Sequence, residues 1–354
     1  LAGLTVDRPT LRAVSGRVAG NDTLLSSYHS AALIEDFAEL TVVAEQLVAA
    51  ETGLTSALGP AKPRVVTRAE WIEANAAAFE RLLSPLSDKL LNKTPNPTLE
   101  TISSKLYGAQ LGGVLGWMSG RVLGQYDLLV ADTENVGDEV LYVGANVLQV
   151  EKTYGFAPRQ FRLWLALHEV THRMQFTGVP WMREYFSSLV SDVIATTSTS
   201  PQAIFANLRR AAGDIARGID PFAESGIAGV TASAEQRLVL TKISGLMSLL
   251  EGHGDVVMNR AGIGHVADAE RFARVLSERR SESRGVSRFA QRLLGIEAKL
   301  KQYEAGEKFI AEVETAGGRE LFDQVWKSSD QLPTQAEITD PALWISRVGA
   351  VPIG

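Results

Sequence analysis

Cysteine is absent from all 354 residues. That excludes a disulfide framework, a thiolate nucleophile and any cysteine-ligated metal, so a transition metal in this chain must be held by histidine and carboxylate. Histidine is itself scarce, with five in the chain, and two of them in ligand spacing therefore carry weight. An excess of basic charge is also missing: Lys and Arg number 35 against 41 Asp and Glu, for a net charge of -6. No block of Lys and Arg stands out, and the expectation is that no nucleic acid is bound. Long apolar runs are lacking too. The strongest, Leu106 to Ser119, is uncharged, but Gln110, Arg121 and Gln125 interrupt the glycine-spaced stretch and Lys105 and Asp127 flank it. It falls short of the roughly 18 residues a spanning helix needs, so no stable membrane insertion is expected. Internal repeats and low-complexity tracts are absent. The first residues, Leu1-Ala2-Gly3, show neither an initiator Met nor a basic-then-apolar leader, which leaves room for a targeting segment before them. With no disulfide to require an oxidising compartment, a cytoplasmic protein is expected.

What is present reads mostly as helix, with apolar residues returning at three and four positions. The periodicity predicts helices over 30–56, 68–91, 98–125, 158–176, 181–196, 201–217, 234–261, 266–282, 285–313 and 318–328, and a short one after Pro341. Thr67-Arg68-Ala69-Glu70, Ser233-Ala234-Glu235-Gln236 and Thr334-Gln335-Ala336-Glu337 have the form of capping boxes, in which hydroxyl and fourth side chain satisfy backbone amides reciprocally. Strands are expected at Leu128 to Ala131 and Glu139 to Val147. The fold class is therefore mainly α with a small β-sheet (α+β). In the uncharged stretch, Gly108, Gly112, Gly116, Gly120 and Gly124 recur every four residues and form a ridge on which a second helix can approach closely. A buried, tightly packed helix is expected there. Gly59-Pro60-Ala61-Lys62-Pro63 and Thr94-Pro95-Asn96-Pro97 mark connections, the second dividing a helical region 1–96 from a region 97–354. Glu224 to Thr231 reads as a mobile loop.

The chemistry is concentrated in His168-Glu169-Val170-Thr171-His172. Histidines four apart on a helix share one face and can hold one ion, with Glu169 beside it. Neutral imidazole suits Zn²⁺, and a catalytic zinc keeps three protein ligands and a water. The most suggestive source of the third is Leu249-Leu250-Glu251-Gly252-His253-Gly254-Asp255 on a second helix. Glu251 and Asp255, four apart, can face the same way: one onto metal, the other onto the N–H of a ligating histidine. A ferritin-like di-iron bundle would need a second Glu-x-x-His pair. The residues three before the other histidines are Ser26, Leu165, Leu250 and Gly262, so no such pair exists.

These residues resemble the zincin-like metallopeptidases, in particular a mainly actinobacterial and chloroflexal group labelled as associated with biosynthesis of the deazaflavin coenzyme. The likeness rests on Phe161-Arg162-Leu163-Trp164 before the HExxH segment, on Gln175-Phe176 and on Val179-Pro180-Trp181. It continues in Leu249 to His253 and Lys299 to Phe309, over about two-thirds of the chain. The resemblance implies a small sheet with an edge strand lining the cleft, the HExxH helix on its floor, and a metallohydrolase spanning 97–354. It also implies Glu251 as third zinc ligand, Asp255 as its supporting aspartate and Glu169 as general base in hydrolysis of a peptide or small amide. Tyr303 and His253 are candidates for the oxyanion, and Asn146, at the end of the expected strand, for substrate contact. Arg173 departs from the pattern, which prefers an uncharged residue after the second histidine. The coenzyme label supplies no reaction. A zinc-pinned scaffold without turnover is the rival reading; retention of Glu169, which no ligand set needs, favours the enzyme.

Overall fold

The structure is a computed structural model that describes residues 6–22, 29–90, 97–126, 138–196, 233–281 and 296–349. It is mainly α-helical, with one three-stranded sheet among the described residues. By contacts the chain forms two compact units: Leu1–Gly178 with Arg260–Phe272, and Val179–Asn259 with Ala273–Gly354.

The first unit contains α1 (Arg8–Ala19), α2 (His29–Thr52), β1 (Lys62–Val66), α3 (Arg68–Leu90), α4 (Pro97–Ser119) and β2 (Gly124–Tyr126). β3 (Glu139–Val143), α5 (Gly144–Tyr154) and α6 (Pro158–Thr177) complete it. The strand order is β1-β3-β2. β1 runs parallel to β3, with Val66 opposite Val143, and β2 runs antiparallel to it, with Gly124 opposite Tyr142. Helix α1, unannounced by any apolar stripe, is the helix that uses the glycine ridge. A Cβ on Gly108, Gly112 or Gly116 would come within 2.6–2.8 Å of the carbonyl oxygens of Asp7, Leu11 and Ser15. The contact is backbone to backbone, which is why neither helix needs large side chains there. Gly120 and Gly124 lie past this seam, and Gly124 belongs to β2. The opposite face of α4 exposes Ile102, Leu106 and Tyr107, so the helix is buried on its glycine side only. Beneath the seam Leu11, Leu115, Val66, Trp71, Ile72, Leu141 and Val143 form a continuous core.

Two strand expectations change. β3 stops at Val143, and Gly144 to Tyr154 is helix, where a strand to Val147 was expected. The run Val140 to Leu148 is buried almost throughout, so periodicity carries no signal to separate strand from helix. β1 went unread because its outward residues are Lys62 and Arg64 and it contains Pro63. The expected strand at Leu128 to Ala131, the helix at 201–217 and the loop at Glu224 to Thr231 lie outside the described residues.

The second unit contains α7 (Met182–Thr196), most of α8 (Ala234–Ala261), the later part of α9 (Ala269–Ser281), α10 (Ile296–Phe322), and short α11 (Gln335–Thr339) and α12 (Pro341–Val348). α10 breaks at Gly317-Gly318, the latter at φ 68°, where two separate helices were expected. Its core gathers Leu246, Leu249, Leu250, Phe309, Ile310, Val313, Ile338 and Trp344. The Thr334 capping box is present in full, as is that of Thr67 in the first unit. At the head of α8 the Gln236 amide donates to Ser233 Oγ. No helix among the described residues is long and apolar enough to cross a membrane.

Candidate functional site

Helix α6 begins with Pro158 at its first turn, where the missing N–H costs nothing. It is buried almost along its whole length: Phe161, Ala166, Leu167 and Val170 are fully enclosed. Phe161 and Trp164 pack with Phe156 and Phe272. Within that apolar cylinder His168 and His172 are half-buried and Glu169 is buried.

The two imidazoles lie one turn apart, with ring centroids 4.6 Å from each other and planes at 86°. Their Nε2 atoms approach to 3.3 Å. Nδ1 of His172 is 3.0 Å from Oε1 of Gln175; a hydrogen bond from Nδ1–H to that oxygen is the arrangement that leaves the ring lone pair at Nε2. That arrangement suits ligation through Nε2, and Gln175, wholly buried, is placed to favour it. Two nitrogens aimed at one point fit a cation shared between them.

Arg173 is the departure noted in the sequence, and its surroundings explain it. The side chain is completely buried. Nε and Nη2 donate to the two oxygens of Asp138 at 2.9 and 2.6 Å. Nη1 donates to Glu45 of α2 at 2.7 Å, and Nη2 also to the carbonyl of Gly59. The charge after the second histidine thus points away from the histidine face, into a pair of carboxylates that tie α6 to α2 and to the entry of β3. Asp138 also accepts from the Tyr126 hydroxyl at 3.4 Å, bringing β2 into the same network. Glu45 and Asp138 escaped sequence reasoning because neither lies near a motif.

β2 passes directly over Glu169. A Cβ on Gly124 would stand 2.6 Å from Oε1, 2.7 Å from Cγ and 2.8 Å from Cδ of that glutamate. Tyr142, opposite Gly124 in the ladder, stacks on Phe37 at 3.7 Å. Its hydroxyl lies 2.9 Å from that of Thr41. Burial holds the Tyr142 phenol well above its ordinary pKa; the Thr41 hydrogen bond works against this and the charge of Glu169 with it.

Glu251, His253 and Asp255 lie in the second unit on α8. Glu251 is 4% exposed and Asp255 half-buried. Leu249, Leu250, Val257 and Met258 around them are buried, as an apolar setting for these carboxylates required. Gly252 is where α8 meets α10: a Cβ there would fall 2.6 Å from the amide nitrogen of Glu307. The His253 ring packs against Phe322 at 5.6 Å and Trp326 at 4.9 Å. The Tyr303 side chain lies outside the described residues.

Asn146 is not at a strand end. It sits in α5, 1% exposed, where Nδ2 donates to the carbonyls of Ser119 and Val122 and Oδ1 accepts from Arg68. Its hydrogen-bonding capacity is spent on holding the α4–β2 turn. The strand expected to pair with substrate is likewise replaced: β3 is central among the described strands, and β2 is an edge.

No curated protein matches the chain. A crystal structure from Chloroflexus aurantiacus, described as "a putative hydrolase with a novel fold", is similar to it with a TM-score of 0.71 and 30% sequence identity. The likeness covers 97% of this chain and 99% of that one. A family model described as zincin-like metallopeptidase runs from residue 6 to residue 345, through α6 and α8 alike, and the chain belongs to that family.

Proposed function

We propose that the protein is a zinc-dependent hydrolase that cleaves a peptide or amide bond, with His168, His172 and Glu251 as metal ligands and Glu169 as general base. The observation that carries the reading is the convergence of the two Nε2 atoms at 3.3 Å, with His172 held by Gln175 and Glu169 buried beside them. Family membership supports it, since zinc and water activation are what a zincin uses. Two imidazoles and a carboxylate are also the donor types that a catalytic zinc takes. Bound there, zinc would supply Lewis acidity toward the scissile carbonyl and a water made nucleophilic near neutral pH.

The rest is the work of the chain's own groups. Glu169 accepts the proton of the attacking water and returns it to the leaving amine. Gln175 keeps His172 in the ligating tautomer, and the role proposed for Asp255 is to accept from the N–H of a ligating imidazole. β2, which lies over Glu169 and is an edge among the described strands, offers its backbone to an extended peptide by strand addition. Peptide or small amide is the substrate class this chemistry suits.

The test is metal analysis of the purified chain. About one zinc per chain is expected, and Glu251→Ala and His168→Ala should each lose it. A native protein without zinc, or a Glu251→Ala variant that binds it as tightly as native, contradicts the ligand set.

A further inference from the structure

We infer that Gly124 is a positioning residue for Glu169: the bare backbone of β2 leaves the space that the glutamate side chain fills, and a side chain at 124 would drive the carboxylate out of place. This rests on the reading of Glu169 as general base.

The three atoms nearest a Cβ at position 124 all belong to Glu169 beyond its own Cβ, at 2.6, 2.7 and 2.8 Å. One of the two neighbours must move. β2 is pinned on several sides. The Leu123 carbonyl accepts from Val143 N–H at 2.8 Å, and the ladder to β3 continues through Tyr126. Gln125 accepts from the indole N–H of Trp71 at 2.8 Å and donates to Asn75 at 3.2 Å. Tyr126 donates to Asp138, the carboxylate that Arg173 of α6 holds. Retreat of the strand would break several of these bonds in a buried setting, at a cost for each. The carboxylate arm of Glu169 turns about single bonds and is the cheaper element to displace.

Gly124 differs from the seam glycines of α4 in what a side chain would meet: backbone carbonyls there, the side chain of Glu169 here. It has no positive φ, so its backbone would accept alanine, and the nearest obstacle is Glu169. A displacement of about 1 Å at a reacting group is enough to lower a rate by about 100-fold.

The test is a melting cycle on metal-stripped protein, Gly124→Ala in the native and Glu169→Ala backgrounds, with kinetics on a fluorogenic peptide mixture. Gly124→Ala should lower the melting midpoint by about 2 °C or more in the native background and leave it unchanged in Glu169→Ala. In the zinc-loaded protein it should keep the metal and KM and lose about 100-fold in kcat. An equal drop in both backgrounds, or an unaltered kcat, overturns the inference. Absence of zinc or of any cleavage by the native protein overturns the proposed function instead, and the melting cycle, which needs neither, still decides the contact.

Discussion

The turn of α6 from His168 to His172 and the turn that follows, from Arg173 to Thr177, are both polar stretches of a buried helix, and they differ in where their side chains are directed. The second is built into the scaffold. Arg173 spends its guanidinium on Asp138, Glu45 and the Gly59 carbonyl, and Thr177 bonds back to the carbonyl of Arg173. The first aims two imidazoles at one point and places Glu169 under β2. A turn that is to hold a metal must be fixed to fractions of an ångström, and one helix turn further on is where this chain fastens the proposed one. Gln175 joins the two, since it belongs to the anchoring turn and orients His172.

The sharpest way to break this contrast is Arg173→Leu. It leaves Asp138 and Glu45 facing a buried apolar side chain, and loss of one partner from such a buried pair costs about 3–5 kcal/mol. Denaturant midpoints should register it directly. A loss below about 1 kcal/mol would mean that the turn is not the anchor described. Next in size is Gln175→Leu, which should weaken zinc binding by roughly 10- to 100-fold in a competition titration while altering stability far less. Equal losses of stability in the two variants would erase the distinction between anchoring and orienting.

The smallest effect belongs to Tyr142, across the ladder from Gly124. Burial raises its pKa in the folded state, so the phenol stays neutral after the unfolded chain has begun to ionise. Its contribution to stability is whole below about pH 10 and is lost as pH rises toward the folded value, at about 1.4 kcal/mol per pH unit. Tyr142→Phe should remove that slope from stability measured between about pH 9 and 11. An unchanged slope would mean that Tyr142 ionises freely in the folded protein.

The same contrast marks what the sequence made legible. His168, Glu169 and His172 stand out by spacing, and the apolar company of Glu251 and Asp255 in the sequence is matched by the burial of Glu251 and the half-burial of Asp255. The seam glycines announced a helix partner without saying which helix, because α1 meets them with its backbone carbonyls and has no apolar stripe to read. Asp138 and Glu45 give no sign in the sequence; they are 35 and 128 positions from Arg173, respectively, and only the fold brings them together. Gly124 read as the last member of a helical repeat, yet it lies on a strand and meets the glutamate. Asn146 read as a substrate contact because an unbroken apolar run hid the change from β3 to α5.

The central claim is that Glu169 acts on water at a metal the histidines hold, and Glu169→Gln tests it most directly. The variant keeps size and hydrogen-bonding reach but cannot accept a proton. Zinc content should stay near that of the native protein, and turnover of a fluorogenic peptide mixture should fall by roughly 100- to 10,000-fold. Hydrolysis by Glu169→Gln at the native rate would contradict the account.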